Sequence, residues 1–420
     1  MGPRPLVCPR PPSGAEVTGP RVVSVLAAGT PGLRRVRRPD DDDGPAFDLA
    51  YVRTGPRTDT PTVVIPGGPG LGSVLPYRGL RRRAARRGLD LIMVEHRGVG
   101  LSRTDLAGRD LPVSAMRVAA VAGDIAAVLD REGVESAFLA GSSYGSYVAS
   151  CVGARHPGRV AGMLLDSALQ SAADIGLERQ AVRSLFWEAD TAIAADVRRL
   201  HAAGVDERRL LDVVRAAYEL GGPGLLGPLL RQRLRGPRGP AWRVLDAYAS
   251  RDDSIAHVPG VYEFDLAGVI GFRELGYGAP ADGLPLDPAL TYAPIAHLFP
   301  AFESEPVDLR REAARFTWPV VLLSGTRDLR TPPGIAERVA ELAPDAALVR
   351  IENGHSALET HPEALLGALA ALTAGRHRQL PGRAAELDGL PRRGMVARFP
   401  ELLGLLLRAE GAVAGPSARR

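Results

Sequence analysis

The stretch that decides the fold is Phe138-Leu-Ala-Gly-Ser-Ser-Tyr-Gly145, which places Ser143 at the centre of a Gly-x-Ser-x-Gly pentapeptide. Apolar residues before the pentapeptide predict a buried strand over 136–140, and the pattern directly after it predicts a helix. So tight a turn holds the serine in a strained conformation, with its Oγ exposed at the carboxyl edge of the sheet. Gly141 and Gly145 are required because side chains there would collide across the turn. With 48 glycines in the chain, such a pentapeptide also arises by chance in a loop. The flanking strand and helix therefore favour Ser143 as a catalytic nucleophile over a simple glycine-serine loop.

Similar strand and helix patterns alternate on both sides of this turn. The predicted buried strands cover 62–65, 91–94, 136–140, 160–165, 320–323 and 347–351. The predicted helices cover 79–87, 115–129, 144–155, 333–342 and 361–372. A predicted hairpin over 34–38 and 47–52, with an acidic turn at 40–43, precedes them. Buried aliphatic strands separated by helices indicate an α/β protein with a mostly parallel twisted sheet and helices on both faces.

The alternation is interrupted after the sixth strand and later resumes. The chain then divides into an irregular leader, a first core part, a mainly helical cap insertion, a second core part and a C-terminal extension with one helix over 400–408. In that order the segments are 1–32, 33–170, 171–312, 313–375 and 376–420. Twelve of the 21 aromatic residues fall in the cap. These aromatics either fill the cap's own core or line a substrate pocket.

Composition excludes several classes of function. All 52 cationic residues are arginine, which excludes a Walker A lysine, a lysine-bound pyridoxal phosphate, a kinase lysine and a Ser-Lys dyad. Two cysteines, Cys8 and Cys151, are too few for a disulfide framework or a cysteine-based zinc site. The net charge of +4 is small for this length and does not indicate nucleic-acid binding. We therefore expect no cofactor, no metal and no nucleic-acid partner.

Targeting and membrane segments are not indicated either. The only apolar run near the start, residues 22–29, is short and late for a signal peptide. No run approaches the length of a membrane helix. We expect a protein without a membrane partner, located in the cytoplasm, with secretion as the less favoured alternative.

An arginine-rich face over 81–87 is interpreted as the solvent face of a helix.

The loop Pro66-Gly67-Gly68-Pro69-Gly70 is the candidate for stabilising an oxyanion. Acyl transfer needs rigid donors aimed at the developing charge, and backbone N–H groups supply them. One predicted donor is the N–H of Tyr144, directly after the serine, and the other is the N–H of Gly68. A phosphate-binding loop is the alternative, but it lacks a lysine. A dinucleotide fingerprint starting at Gly68 would need glycine where Ser73 stands.

The candidate acid and base of a triad follow two of the later predicted strands. Asp328 comes shortly after the strand over 320–323, and His355 shortly after the strand over 347–351. The order Ser143, Asp328, His355 is that of nucleophile-elbow hydrolases. A serine hydroxyl needs a base to take its proton, and a carboxylate fixes the tautomer of the imidazole. The competing candidates are Asp166 for the acid and His96, His156 and His361 for the base.

Five motifs in this order resemble those of the α/β-hydrolase fold, and within it those of the proline iminopeptidase and tripeptidyl aminopeptidase-like serine peptidases. They are Pro66-Gly-Gly-Pro-Gly70, Glu95-His-Arg-Gly-Val-Gly-Leu-Ser102, Gly141-Ser-Ser-Tyr-Gly145, Gly325-Thr-Arg-Asp-Leu-Arg-Thr-Pro332 and Gly354-His355. The resemblance covers residues 33–375. It departs from the family pattern at Pro66, where members usually have histidine, and at Glu95-His96, where they usually have Asp-Gln.

The resemblance implies a serine hydrolase without a cofactor, specifically an aminopeptidase that releases N-terminal residues such as proline from small peptides. In this family, glutamates of the cap hold the free amino terminus of the substrate. The candidates here are Glu188, Glu263 and Glu274, and surface carboxylates paired with arginine are the alternative interpretation. Esterases and lactone hydrolases share the same loops, so a small ester is the alternative substrate. A non-catalytic ligand-binding relative is the alternative from another class.

Overall fold

The computed structural model describes residues 19–41, 44–236, 238–250, 257–393 and 395–413. Its strands are β1 Leu33–Arg38, β2 Phe47–Thr54, β3 Thr62–Ile65, β4 Leu91–Val94, β5 Ala137–Ser142, β6 Val160–Asp166, β7 His257–Val258, β8 Tyr262–Glu263, β9 Val320–Gly325 and β10 Ala346–Ile351. Its first eight helices are α1 Gly19–Ala27, α2 Arg78–Arg86, α3 Val118–Glu132, α4 Tyr144–Arg155, α5 Ile175–Arg183, α6 Ala192–Ala202, α7 Glu207–Arg235 and α8 Pro240–Ala249. The others are α9 Phe264–Ala267, α10 Val269–Leu275, α11 Leu309–Glu312, α12 Pro333–Leu342, α13 Ala357–Thr360, α14 Pro362–Thr373, α15 Ala384–Asp388 and α16 Met395–Val413.

Eight strands form one sheet in the order β1-β2-β4-β3-β5-β6-β9-β10. The pairs β1/β2 and β2/β4 are antiparallel, and the remaining neighbours are parallel. Ser142 pairs with Asp166 at the ends of β5 and β6, and Gly325 pairs with Ile351 at the ends of β9 and β10. Parallel strands in this register bring the loops that follow them to a single edge of the sheet. This edge is where the candidate catalytic residues lie.

The sheet is covered on both faces because successive residues of its strands face opposite apolar clusters. Leu165 and Leu322 belong to a cluster that includes α3 and α4, whereas Leu164 and Leu323 belong to one that includes α14. All four side chains are fully buried. Such strands read as continuous aliphatic runs in the sequence, as expected for a parallel sheet between two helical layers.

The predicted fold is confirmed. The segment between β6 and β9 is the mainly helical insertion after the sixth strand, and it holds α5 to α11 together with the short antiparallel ribbon β7–β8, which the sequence pattern did not indicate. Helices α6, α7 and α8 share an apolar cluster with Leu403 and Leu407 of α16. Helix α7 is kinked at Gly222, where φ is 61°. None of the helices within the described ranges is long and apolar enough to cross a membrane.

Three interpretations of local sequence are wrong. The C-terminal extension was expected to hold one helix over 400–408, but it holds both α15 and the longer α16, Met395–Val413. The leader was expected to be irregular, but Gly19–Ala27 is helical, because Val23 and Ala27 lie one turn apart and are both buried. Residues 1–18 lie outside the described residues, as do Asp42 and Asp43 of the predicted acidic turn. The arginine-rich face of α2 is not wholly exposed. Arg81 is buried and donates to the carbonyl oxygens of Ser73 and Val74 at 2.6 Å each.

Candidate active site

Ser143 stands on the turn between β5 and α4 with φ 54° and ψ −121°. This positive φ is strained for a non-glycine residue, and the surrounding contacts impose it. A Cβ added to Gly141 would lie 2.1 Å from the carbonyl oxygen of Gly145, and one added to Gly145 would lie 2.1 Å from that of Ile65. The two glycines therefore permit the close approach that the sequence pattern required. The N–H of Ser143 donates to the carbonyl oxygen of Asp166 at 2.9 Å and fixes the turn to β6.

The structure brings Ser143, His355 and Asp328 together. Ser143 Oγ lies 3.0 Å from His355 Nε2, and His355 Nδ1 lies 3.0 and 3.1 Å from the two carboxylate oxygens of Asp328. The Asp328 side chain is fully buried, whereas 15% of the His355 side chain is exposed. A nucleophile, a base and an orienting carboxylate at these distances match the geometry of acyl transfer.

Hydrogen bonds from its own loop hold the Asp328 carboxylate. The N–H groups of Arg330 and Thr331 donate to Oδ1 at 3.0 and 2.9 Å, and the Thr331 hydroxyl donates to Oδ2 at 2.8 Å. Burial alone would raise the pKa of Asp328, but attraction to His355 and these hydrogen bonds outweigh it and lower the pKa. For His355, burial would lower the pKa, and the charge of Asp328 outweighs burial and raises it. The carboxylate therefore stabilises a protonated imidazole.

The competing acid, Asp166, has another role. Its carboxylate accepts the N–H groups of Ala357 and Leu358 at 2.9 Å each and the hydroxyl of Ser142 at 2.7 Å. These contacts cap the N-terminus of α13, the helix that begins two residues after His355. Asp166 thus supports the loop that carries the imidazole.

The competing histidines lie elsewhere. Nε2 of His96 is 2.8 Å from the Tyr144 hydroxyl, and burial lowers the pKa of His96 to about 4. Nε2 of His361 is 3.3 Å from the carbonyl oxygen of Asp388. His156 ends α4. Of these three and His355, only His355 is among the described residues lining the cavity beside Ser143.

The glycine-rich loop lies against the serine. A Cβ on Gly67 would be 3.3 Å from Ser143 Cβ, and Gly67 and Gly68 both line the same cavity as Ser143. Gly68 has φ 118°, a region that glycine alone occupies without strain. Its carbonyl oxygen accepts the hydroxyl of Tyr277 at 3.1 Å, which fixes the orientation of the peptide. The loop is thus positioned beside the candidate nucleophile, and the oxyanion role of the Gly68 and Tyr144 N–H groups remains a prediction.

A cavity of about 360 Å³ opens in front of Ser143, and we call it the Ser143 cavity. Cap residues form much of its wall, including the aromatic rings of Tyr262, Tyr277 and Tyr292. The rings of Tyr277 and Tyr292 stack with centroids 4.7 Å apart. Other cap aromatics are buried in apolar clusters. Phe272 and Phe299 stack in the cluster that includes α3 and α4, and Phe186 and Trp242 lie in the cluster of α6, α7 and α8. Within the described ranges, no group of His, Cys, Asp and Glu is placed to hold a metal ion.

The three predicted cap glutamates are not among the described residues that line this cavity. Glu188 is exposed. Glu263 is buried and accepts the N–H of Gly260 at 3.0 Å and the guanidinium of Arg103 at 3.2 Å. Glu274 is buried and accepts the N–H of Val118 at 2.8 Å. The two buried glutamates fasten the cap to the core, because their partners include Arg103 and Val118 on the core side.

Other carboxylates line the cavity instead. Asp174 directly precedes α5, Glu178 lies in the first turn of α5, and Glu359 comes from α13. Burial, only partly offset by Arg215, raises the pKa of Glu178 to about 7. Arg215 Nη1 lies 2.7 Å from its Oε1. Sequence reasoning missed these residues. The four-residue spacing of Asp174 and Glu178 after the sixth strand was the signal that could have found them.

The sheet order, the serine on a positive-φ turn after β5 and the imidazole beyond β10 define a protein with the α/β-hydrolase fold. The sequence profile of a family described as "alpha/beta hydrolase fold" matches residues 60–219, which include the glycine-rich loop and Ser143.

The chain is similar to several solved structures at low identity. An esterase from Rhodococcus sp. ECU1013 is 23% identical, with a TM-score of 0.45, over 82% of this chain and 98% of its own. A thermophilic esterase from Thermogutta terrifontis is 18% identical, with a TM-score of 0.44, over 82% and 99%. A hydrolase from Pseudomonas aeruginosa PA01 is 18% identical, with a TM-score of 0.44, over 81% and 98%. No curated protein sequence matches the chain.

Proposed function

We propose that this protein is a serine hydrolase in which Ser143 attacks a carbonyl carbon. The observation that carries the proposal is the pair of contacts made by His355, with Nε2 3.0 Å from Ser143 Oγ and Nδ1 3.0 Å from Asp328. A serine hydroxyl is a poor nucleophile until a base in hydrogen-bond contact takes its proton. Here the base is in contact, and a buried carboxylate orients it.

The reaction follows from this geometry. His355 Nε2 takes the hydroxyl proton as Ser143 Oγ bonds to the substrate carbonyl carbon, and the oxyanion is stabilised by the N–H groups of Gly68 and Tyr144. The tetrahedral intermediate collapses when His355 returns the proton to the leaving group, which leaves an acyl-serine. Water, activated by the same imidazole, then releases the acid and restores Ser143.

For the substrate we propose a short peptide or aminoacyl amide with a free amino end, as in the proline iminopeptidases that the sequence motifs resemble. The carboxylates of Asp174 and Glu178 on the cavity wall support this proposal. A protonated amine placed beside them would also favour the ionised form of Glu178, whose pKa burial raises to about 7. We assign the amine-binding role to these residues in place of Glu188, Glu263 and Glu274.

A fluorophosphonate probe and a small substrate panel test both levels of the proposal. We expect covalent labelling of Ser143 that Ser143→Ala abolishes, and hydrolysis of prolyl naphthylamide but not of its acetyl-capped form. Absence of labelling in the folded protein would indicate a non-catalytic ligand-binding protein. Labelling with hydrolysis of p-nitrophenyl esters and of no aminoacyl amide would indicate an esterase.

A further inference from the structure

His355 also lines a second cavity of about 510 Å³, which we call the Arg392 cavity. The residues that line both cavities are Leu71, Arg330, His355, Ser356 and Glu359. Ser143 is among the described lining residues of the first cavity but not of the second. The imidazole therefore stands at the junction of two spaces, of which one contains the nucleophile.

The C-terminal extension forms a wall of the Arg392 cavity. Arg392 precedes α16, and Pro400 and Glu401 belong to it. Arg392 is fixed in place, because its Nη1 donates to Asn353 Oδ1 at 2.8 Å and its Nη2 donates to the carbonyl oxygen of Glu352 at 2.7 Å. About a third of its side chain remains exposed. Its Nη2 also lies 3.8 Å from Asp388 Oδ1. A guanidinium has five N–H donors, so Arg392 can hold these acceptors and still present N–H groups to a ligand.

The Arg392 cavity carries charges of both signs. Its guanidinium groups are Arg327, Arg330 and Arg392, and its carboxylates are Glu219, Glu359 and Glu401. Glu359 stands at the junction with the Ser143 cavity, where Tyr77 donates a hydrogen bond to it, and Arg392 comes from the extension. Such a lining suits a ligand with an amino group near the junction and a carboxylate further out.

The chemistry of acyl transfer identifies which half of a substrate enters this cavity. When the tetrahedral intermediate collapses, the bond between carbonyl carbon and leaving nitrogen breaks, and the nitrogen takes the proton from His355 Nε2. The leaving group must therefore lie within reach of His355, whereas the acyl group stays bonded to Ser143. The Arg392 cavity is lined by His355 and by residues around it, and Ser143 is not among its described lining residues. This cavity is therefore positioned to receive the leaving group.

We propose that the Arg392 cavity is the leaving-group subsite and that it takes a short peptide with a free C-terminal carboxylate, which Arg392 binds. This inference rests on the proposed serine hydrolase function. The new amino group of the departing peptide lies near Glu359, and its carboxylate accepts hydrogen bonds from Arg392. The extension beyond residue 375 thus contributes to substrate selection.

A matched pair of substrates tests the inference. Each has the same N-terminal residue, chosen from the aminoacyl panel above, followed by glycine as the free acid or as the glycinamide. We expect kcat/KM to be about tenfold higher for the acid, the size of a charge-assisted hydrogen bond. Arg392→Ala should remove most of this preference, and Arg392→Lys should retain part of it. Arg383→Ala is the control, because Arg383 lies in the same extension and pairs with Glu386.

Each other outcome overturns the inference. Equal kcat/KM for acid and amide in the unmodified enzyme would show that no carboxylate is recognised. An equal loss for both substrates in Arg392→Ala would show that Arg392 only supports the Asn353 loop. Labelling of Ser143 together with ester hydrolysis and no peptide cleavage would overturn the subsite while leaving the serine hydrolase proposal standing. Absence of labelling and of all hydrolysis would overturn both.

Discussion

Two buried carboxylates stand at the carboxyl edge of the sheet, and their hydrogen bonds separate their roles. Asp328 contacts His355 Nδ1, whereas Asp166 caps α13. We expect Asp328→Asn to lower kcat by about 10³- to 10⁴-fold, because an amide no longer stabilises the imidazolium or fixes its tautomer. Asp166→Asn should instead lower the melting temperature and change kcat far less. Steady-state kinetics and thermal melts of both variants check this, and a reversed order would reassign the acid.

The pH profile reports on the imidazole itself. His355 accepts a proton only when neutral, so kcat/KM rises as pH increases through its pKa. Burial would lower that pKa, but Asp328 raises it overall, so we expect the midpoint above about 6.5, the usual value for histidine. Glu219 also raises it. Glu219→Gln should therefore move the midpoint to lower pH, measured as log kcat/KM against pH. An unchanged midpoint would contradict this electrostatic contribution.

Glu178 is the residue on which the amine-binding proposal can be tested directly. Its carboxylate lines the Ser143 cavity, whereas that of Glu263 is buried against Arg103 and the backbone. We expect Glu178→Gln to raise KM for substrates with a free amino group by about tenfold and to leave KM for p-nitrophenyl acetate nearly unchanged. Glu263→Gln should lower the melting temperature and leave the ratio of the two KM values intact. The opposite result would return the role to the residue expected from sequence.

The comparison of Glu178 with Glu263 shows which residues of the site can be predicted from sequence and which cannot. Ser143, Asp328 and His355 each follow a strand of the parallel sheet, so strand pattern and chain order suffice to bring them together. Glu178 belongs to an insertion whose path over the sheet depends on long-range packing. A glutamate on a cap helix looks the same in sequence whether it faces a cavity, solvent or the core.

At the scale of elements, the turn between β5 and α4 depends on space that only glycine leaves. Gly145 faces the carbonyl oxygen of Ile65, whereas nothing lies within 4 Å of the position where a Cβ on Gly158 would be. We expect Gly145→Ala to destabilise the protein by about 1–3 kcal/mol or more, since the backbone must shift, and to reduce labelling of Ser143. Gly158→Ala should be close to neutral. Urea unfolding of both variants measures the difference.

Element boundaries in the core were predictable to within a few residues because burial imposes a simple pattern on parallel strands. Helix α12 spans Pro333–Leu342 as expected, and α4 spans Tyr144–Arg155. The ribbon β7–β8 was not indicated, since each strand has only two residues and carries no periodicity. Helix α1 was missed because only Val23 and Ala27 form its buried face. They lie next to a stretch rich in proline and arginine, in which no helical pattern is evident.

At the scale of the whole molecule, α16 joins the C-terminal extension to the cap. Leu403 is fully buried and Leu407 is 8% exposed, and both share the apolar cluster of α7 and α8. On the same helix, Leu402 and Leu405 are 50% and 57% exposed. This arrangement ties residues beyond the second core segment to the insertion after β6, a contact between distant parts of the chain that no local pattern reveals.

The two faces of α16 provide a matched test of this connection. We expect Leu403→Ala to lower the free energy of unfolding by about 2–5 kcal/mol, because it leaves a cavity among the cap helices. Leu402→Ala removes the same atoms from the exposed face and should change the free energy of unfolding by less than about 0.5 kcal/mol.

If cap and core unfold as one unit, Leu403→Ala shifts a single calorimetric transition. A new, earlier transition would instead show that the cap unfolds separately, and the Arg392 cavity, which α16 helps to enclose, would then open before the sheet melts. Equal effects of the two substitutions would contradict the placement of α16 against the cap.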